Sequence, residues 1–246
     1  MQAEVQGLSR RDRLRAATSQ EIIQVARQLL VTEGSAAMSL RAIAREMGMT
    51  APALYRYYPS LEDLARHVVA DIFSELSAAI EAAIAADGAG SAAGSAPATA
   101  AALITACRAF RTWATGHQAE FGLIFGSPLP GAAGPDDPLA ECGITFGGIY
   151  LRLVTQLWRI TGFGVPADDE LAEALRPQLA RYRDRLLSDL PLGVLQVFLR
   201  CWVLLYGTVS LEVFGHLKFA LEDSEPMFDL MLSDLASMVG LTYPLP

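Results

Sequence analysis

The pattern of apolar positions in residues 39–58 predicts two short helices joined by a tight turn. In the first helix the apolar residues recur at steps of three and four and form one buried stripe: Leu40, Ile43, Ala44 and Met47. Gly48 comes next, and glycine ends a helix readily because it tolerates a left-handed backbone. Leu54 and Tyr58 are four residues apart and pack the second helix against the first. A helix–turn–helix of this kind can place its second helix in the major groove of DNA.

Capping residues support these boundaries. Ser39 and Thr50 precede the two helices, where a hydroxyl can accept a hydrogen bond from a first-turn N–H group. Pro52 falls in the first turn of the second helix, where its missing N–H costs little. Upstream, Thr18 begins a Thr-x-x-Glu capping box, so we expect a third helix over residues 18–33.

Downstream of the motif, helical periodicity continues through most of the chain. Ser60 caps a long helix that we expect to run from Leu61 to about Ala85, followed by a flexible Gly/Ser/Ala linker over residues 87–98. A Pro/Gly-rich loop covers residues 127–138. The remaining helices are expected over residues 99–118, 139–161, 169–187, 192–217 and 226–239. The pattern predicts an all-α fold, in which a three-helix helix–turn–helix domain precedes a larger helical bundle.

Residues 192–217 are the most apolar stretch and are long enough to cross a bilayer. Arg200 and Glu212 lie within them, and charges are costly in a lone membrane span, so we interpret this stretch as a helix buried within the protein. The arginines near the N-terminus are not followed by the apolar stretch of a secretory signal. We therefore expect a cytoplasmic protein.

Charge is divided unevenly along the chain. The 246 residues carry a net charge of −8, yet residues 1–60 contain eight arginines against five acidic residues, a net of +3, and the remainder carries −11. DNA repels an acidic protein unless its positive charge is concentrated at one end, so this division favours DNA binding. The basic arm of residues 1–16 either follows phosphates or enters a minor groove, or it is a solvated, frayed terminus.

The sequence offers no candidates for catalysis, metal binding or a cofactor. The cysteines are odd in number and far apart, and the histidines lack metal-binding spacing: Cys107, Cys142 and Cys201; His67, His117 and His216. There is no nucleophile motif, phosphate-binding loop or dinucleotide fingerprint. We expect a protein that is not an enzyme and carries no metal or cofactor.

The run SLRAIAREMGMTAPALYRYYPSLEDL resembles the DNA-binding domain of TetR-family transcriptional regulators. The positions that match the family pattern are Ile43-Ala44, Gly48 and Leu54-Tyr55. Tyr57 replaces the family's usual histidine and Tyr58 its phenylalanine. Leu61 stands where the family usually has a lysine that binds a DNA phosphate, and a leucine side chain has no donor for that contact.

The stretch LRCWVLLYGTVSLEVFGHL, residues 199–217, resembles the WHG type of TetR regulatory domain, with Tyr206 where that type usually has histidine. The resemblance implies a homodimer whose last two long helices form the interface, and a ligand cavity among the middle helices. The expected domains are the arm (1–16), the DNA-binding domain (17–76) and a ligand-binding and dimerisation domain (77–246). The expected interface residues are Leu204, Leu211, Phe228, Met231 and Leu235.

Resemblance and helical geometry together assign roles to eight motif residues. Arg41 and Thr50 are expected to contact phosphates, and Tyr55 and Tyr57 to donate their hydroxyl protons to phosphates. The residues expected to face base edges, where their small apolar groups can touch thymine methyls, are Ala51, Pro52 and Ala53. Arg56 is the candidate for polar base readout.

An aromatic set is the candidate lining of a cavity for a small apolar or amphipathic effector: Phe110, Trp113, Phe146, Tyr150, Trp158, Trp202 and Tyr206. The alternative is that these residues are plain core, as aromatic residues at helical spacing usually are. Arg111, Arg152 or Arg200 either orients a polar group of the effector or is ion-paired or exposed.

The leading hypothesis is a homodimeric repressor that binds a pseudo-palindromic double-stranded operator and is released by the effector. One alternative is a helical small-molecule-binding protein without a DNA role, for which Arg41→Ala and Tyr55→Phe would leave every activity intact. Another alternative is a TetR-like activator.

Overall fold

The structure, a computed structural model, describes residues 9–88, 94–126 and 138–243. The described residues form ten α-helices and contain no strand, which confirms the all-α prediction. A 3₁₀ turn, Ser35–Ala37, follows the first helix. The helices are α1 Arg10–Glu33, α2 Leu40–Glu46, α3 Ala51–Leu54, α4 Leu61–Asp87, α5 Ala96–Gly116, α6 Gln118–Phe125, α7 Pro138–Thr161, α8 Arg176–Arg185, α9 Leu192–Val213 and α10 Glu225–Met238.

The chain divides into two compact units. The first comprises the described residues of Met1–Glu75 and His117–Gly143, and the second those of Leu76–Gly116 and Ile144–Pro246. The division on α4 falls close to the domain boundary expected from the sequence. The inclusion of α6 in the first unit was not expected.

The core of the first unit contains α1, α2, α3, the beginning of α4, and α6. Its fully buried residues include Ile22, Ile43, Leu54, Leu64 and Phe121. The guanidinium of Arg27 on α1 lies 3.6 Å from the Glu120 carboxylate of α6. Burial of Phe121 and this ion pair explain why α6 belongs to the first unit.

In the second unit, α9 is the central helix. Val194, Leu195 and Val209 are fully buried on its inner side, and α5, α8 and α10 pack against it. By length and composition α9 could also cross a membrane, with a mean hydropathy of 1.6 and half of its most apolar window buried within the chain. A core helix of a soluble protein has the same properties, so this observation is weak evidence for a membrane span.

Several helix boundaries differ from the predictions, and the largest differences are at the starts of α1 and α8. Helix α1 begins at Arg10 rather than Thr18, because Ser9 accepts a hydrogen bond from the Asp12 N–H at 3.2 Å and caps it there. Helix α8 begins at Arg176 rather than residue 169, and Pro177 lies in its first turn, where proline is well tolerated. Of the predicted loops, residues 89–93 and 127–137 lie outside the described part of the chain.

Candidate nucleic-acid interface

The turn between α2 and α3 has the conformation that the sequence predicts. Gly48 has a left-handed backbone with φ = 64°, and the Met49 N–H donates to the Ala44 carbonyl at 2.8 Å. At the other end of α2, Ser39 Oγ accepts from the Ala42 N–H at 3.2 Å. These hydrogen bonds fix the direction in which the chain enters α3.

Helix α3 and the turn after it are held in place by Leu54 and Tyr58, the two residues whose spacing predicted burial. Leu54 is fully buried and Tyr58 nearly so, and the Tyr58 hydroxyl lies 2.6 Å from Ser19 Oγ on α1. Burial raises the pKa of Tyr58, and the hydrogen bond with Ser19 lowers it by less, so the net shift is upward. A neutral phenol therefore holds this side of the helix against α1.

The opposite side of α3 is open to solvent. Pro52, Tyr55 and Arg56 are exposed, and 48% of the Tyr55 surface is accessible. Ala51, Ala53 and Tyr57 are half-buried. On α2, Arg41 is exposed. The predicted DNA-contacting residues thus lie at the surface of one small helical unit, where a duplex could reach them.

The capping hydrogen bond expected from the Thr50 hydroxyl is not formed. Thr50 occupies the N-cap position of α3, but its hydroxyl makes no capping hydrogen bond. Pro52 offers no N–H to it, and the Ala53 N–H already donates to the Thr50 carbonyl at 2.9 Å. The hydroxyl is thus not committed to the cap and can serve an external phosphate.

The sequence indicated a basic arm over residues 1–16 but not that its residues from Arg10 onward belong to α1 and contact the α3 region. The Arg15 guanidinium lies 5.9 Å from the centre of the Tyr57 ring, and its Nη2 donates to the Arg56 carbonyl at 3.4 Å. The first turns of α1 and the α3 region line a common groove of about 710 Å³. The Ser9-x-x-Asp12 cap was the signal that a helix begins early enough to place Arg15 there.

Five of the seven aromatic residues proposed to line a ligand cavity form one cluster in the second unit: Phe110, Phe146, Tyr150, Trp202 and Tyr206. The ring centre of Phe146 lies 5.4 Å from those of both Phe110 and Trp202, and the Trp202 and Tyr206 rings are stacked at 6.4 Å. Burial raises the pKa of Tyr150 well above its usual value, and its hydroxyl donates to the Ala106 carbonyl at 3.1 Å. This packing is what the plain-core alternative predicts.

The other two aromatic residues are Trp113 and Trp158. Trp113 is buried on α5, and Trp158 packs against a separate cluster that includes Leu171, Leu179 and Leu195. The ligand-binding assignment of all seven residues stays a prediction.

The three candidate arginines have different environments. The Arg111 guanidinium donates to both Glu212 carboxylate oxygens at 2.7 Å, pairs with Glu225, and lies 5.0 Å from the centre of the Phe228 ring. Arg152 pairs with Glu81 at 2.6 Å. Arg111 is thus committed to a structural cluster, as the ion-paired alternative predicts.

Arg152 also lines two neighbouring cavities of about 570 and 270 Å³, which share Gly94 and Gln156 as lining residues. Arg200 is exposed on α9, where it lines an open groove of about 660 Å³ formed with α8 and α10. Arg152 and Arg200 thus each line a solvent-open hollow of similar size.

The structure corrects three of the five predicted dimer-interface residues. Phe228, Met231 and Leu235 are at most 3% exposed, because the apolar stripe of α10 packs into the core of the same chain. Leu211 is exposed and Leu204 is half-buried.

Two of the three cysteines lie in the core. Cys107 and Cys201 are buried, and burial raises the pKa of Cys201 to about 11. Within the described ranges, no group of three or more His, Cys, Asp or Glu residues is placed to hold a metal ion.

Family models match both parts of the chain. Residues 22–68 match the DNA-binding model of bacterial regulatory proteins of the tetR family, and residues 103–235 match the tetracyclin repressor-like C-terminal domain. The chain belongs to the TetR family. The predicted recognition is thereby confirmed at the level of the family, and the WHG type stays a prediction.

Individual relatives agree with this TetR assignment. The chain is 31% identical over 201 residues to the HTH-type transcriptional regulator Rv1816 of Mycobacterium tuberculosis, covering 79% of this chain and 80% of the relative. The HTH-type transcriptional regulator Mb1846 of Mycobacterium bovis matches with the same identity and coverage.

Solved structures share the TetR fold. The regulatory protein SCO4313 is 30% identical, with a TM-score of 0.69 over 93% of this chain and 100% of that protein. A tetR family transcription regulator from Shewanella sp. PV-4 is 18% identical, with a TM-score of 0.54 over 88% of this chain and 96% of that protein, and shows the fold alone.

Proposed function

We propose that this TetR-family protein, a DNA-binding transcriptional regulator, acts as a cytoplasmic repressor and is not an enzyme. It binds a pseudo-palindromic operator as a homodimer and is released by a small apolar or amphipathic effector. The observation that carries the proposal is the solvent-exposed side of α3 and of the turn after it, where Pro52, Tyr55 and Arg56 are exposed while Leu54 and Tyr58 are buried.

The chemistry of that surface suits a duplex. Ala51, Pro52 and Ala53 offer small apolar groups to thymine methyls, and Arg56 can donate two hydrogen bonds to a guanine. Arg41, Thr50, Tyr55 and Tyr57 supply donors for phosphate oxygens around the bases. Because few polar side chains read bases, part of the specificity comes from DNA shape.

The outer faces of α9 and α10 support the proposed homodimer. Val203 and Leu230 are 68% and 62% exposed, and Leu211, Phe214 and Met227 add further exposed apolar surface to the same two helices. Positions 203, 207, 211 and 214 follow one another at helical spacing, so this surface forms a continuous stripe on α9. An apolar stripe on two neighbouring helices is typical of a subunit interface.

For the effector, we propose the cavities beside Arg152, on the α7 helix that also carries Phe146 and Tyr150 of the aromatic cluster. Their walls combine apolar side chains such as Leu151 and Leu153 with the Arg152 guanidinium. An amphipathic molecule could place its apolar part against the leucines and a polar group at the arginine. Binding that favours one conformation of the regulator would lower its affinity for the operator.

Selection of duplexes from a random-sequence pool by the purified protein tests the proposed function. A homodimer with two copies of α3 should enrich an inverted repeat with half-sites centred about 34–36 Å apart, or a multiple of that distance. Arg41→Ala and Tyr55→Phe should weaken binding to the enriched duplex. A pool without an enriched motif, or one with single half-sites only, would contradict the proposal.

A further inference from the structure

The first two turns of α1, residues 10–17, are ordered as helix without being part of a core. All eight residues are exposed, and the first fully buried residue of α1 is Ile22. The family model begins at residue 22, so these turns lie outside the part of the chain that it matches. Packing within the first unit does not explain their composition.

These turns carry a concentration of positive charge: Arg10, Arg11, Arg13 and Arg15, with Asp12 as the single acidic residue. Cations at the N-terminal end of a helix are unfavourable because the helix dipole is positive there. Among the ion pairs of the described residues, none involves Arg10, Arg11 or Arg15. In a protein of net charge −8, this cluster creates a local positive potential that attracts an external anion.

The geometry connects this cluster to α3. Arg10, Arg11 and Arg15 line one wall of the 710 Å³ groove, and Arg56 and Tyr57 line the other. Arg15 joins the two walls, since its guanidinium lies 5.9 Å from the Tyr57 ring centre and donates to the Arg56 carbonyl. Arg10 and Arg11 thus line the same groove as Arg56 and Tyr57.

We propose that the first two turns of α1 form a second DNA-binding element, in which Arg10 and Arg11 contact backbone phosphates of the duplex that α3 reads. Arg15 is a positioning residue that holds these turns against Tyr57 and Arg56. The proposal rests on the proposed function, because it places the phosphates beside the bases contacted by α3. A DNA strand fits the cluster because it presents a row of anionic phosphates to a row of arginines.

The salt dependence of DNA affinity tests this proposal. The probe is a labelled random-sequence duplex of about 30 base pairs, titrated by fluorescence anisotropy between about 50 and 200 mM salt. For Arg10→Gln/Arg11→Gln, the plot of log affinity against log salt should be shallower than for the unmodified protein, by about 0.9 for each phosphate that the variant no longer neutralises. At fixed salt the affinity should fall by roughly tenfold or more.

Two control variants distinguish phosphate contacts made by α1 from a general effect of the protein's net charge. Arg181→Gln/Arg185→Gln also removes two positive charges, from exposed positions on α8, and should leave the slope unchanged. Arg10→Lys/Arg11→Lys keeps the charges and should retain the slope, because lysine also binds phosphates. Circular dichroism checks that all variants keep their helix content.

The other possible outcomes would overturn the α1 proposal, and one of them would also overturn the proposed function. Equal slopes for the unmodified protein and Arg10→Gln/Arg11→Gln, or equal reductions in affinity for the α1 and α8 variants, would overturn the α1 proposal alone. If Arg10→Gln/Arg11→Gln reduces affinity only for duplexes rich in A·T pairs, these arginines enter the minor groove and do not contact phosphates, which would overturn the α1 proposal. If the unmodified protein shows no salt-dependent DNA binding, the proposed function fails as well.

Discussion

Arg56 lies two residues beyond the end of α3 and combines features that no other side chain of residues 51–58 shares. Its side chain is exposed and charged, while its backbone carbonyl is tied to Arg15 and its neighbour Leu54 is fully buried. A charged group on a fixed backbone is suited to reading one base pair, because its position is set before DNA arrives.

We predict that Arg56→Ala reduces discrimination among operator variants by ~1–3 kcal/mol at one base pair. The substitution removes the guanidinium and keeps the carbonyl that accepts from Arg15. Competition titrations with single-base variants of the selected duplex measure the effect, and Arg185→Ala on α8 serves as the control. An equal loss of affinity on all sequences would mean that Arg56 contacts a phosphate.

At the scale of helices, α3 depends on its surroundings. A helix of four residues has no independent stability in water. It persists because Leu54 and Tyr58 are buried and because the left-handed Gly48 closes the turn before it. The recognition surface is thus produced by tertiary packing.

Helix α5 is tied to α9 and α10 by Arg111. The side chains of Arg111 and Glu212 are only 16% and 14% exposed, so removal of one charge leaves the other poorly solvated. We predict that Arg111→Met lowers the free energy of unfolding by about 3 kcal/mol, and that adding Glu212→Leu to it restores part of that stability.

Urea denaturation at a fixed protein concentration measures these changes. Arg152→Met is the matched control, because the Arg152 and Glu81 side chains are 52% and 48% exposed and such a pair contributes only about 0–1 kcal/mol. Equal destabilisation by the two single substitutions, or simple additivity in the Arg111 and Glu212 double variant, would contradict the prediction.

Periodicity predicted most helices because their apolar stripes repeat at three- and four-residue steps. Helix α4 was expected over residues 61–85 and spans Leu61–Asp87. The start of α1 was missed because its first turns have no buried stripe, and only the Ser9 cap indicated them. The motif could be predicted from sequence, but the joining of α1 to α3 through Arg15 depends on contacts that are 41 residues apart.

The α10 helix shows a second limit of sequence reasoning. Phe228, Met231 and Leu235 lie on one stripe, as the spacing predicts, and that stripe is buried in the same chain. Spacing alone identifies a buried face but does not tell whether the same chain or a partner covers it. The exposed Met227 and Leu230 became candidates only when the burial of each position was known.

For the whole molecule, the proposed dimer predicts the effect of charge on α9 and α10. Val203→Glu and Leu230→Glu should convert dimers to monomers, because a carboxylate would be buried in an apolar interface. Leu187→Glu is the control, since Leu187 is 95% exposed and precedes α9. Sedimentation velocity measures the state of each variant. A monomeric unmodified protein, or dimers that persist in both variants, would contradict the proposed interface.

Amide hydrogen exchange on the full chain, with and without a saturating duplex, locates the DNA-binding surface directly. We predict that DNA slows exchange in peptides covering residues 48–58 and leaves peptides covering α8 unchanged, because α3 enters the groove and α8 does not touch the duplex. A complex that forms while residues 48–58 exchange at their unbound rate, with slower exchange elsewhere, would contradict DNA recognition by α3.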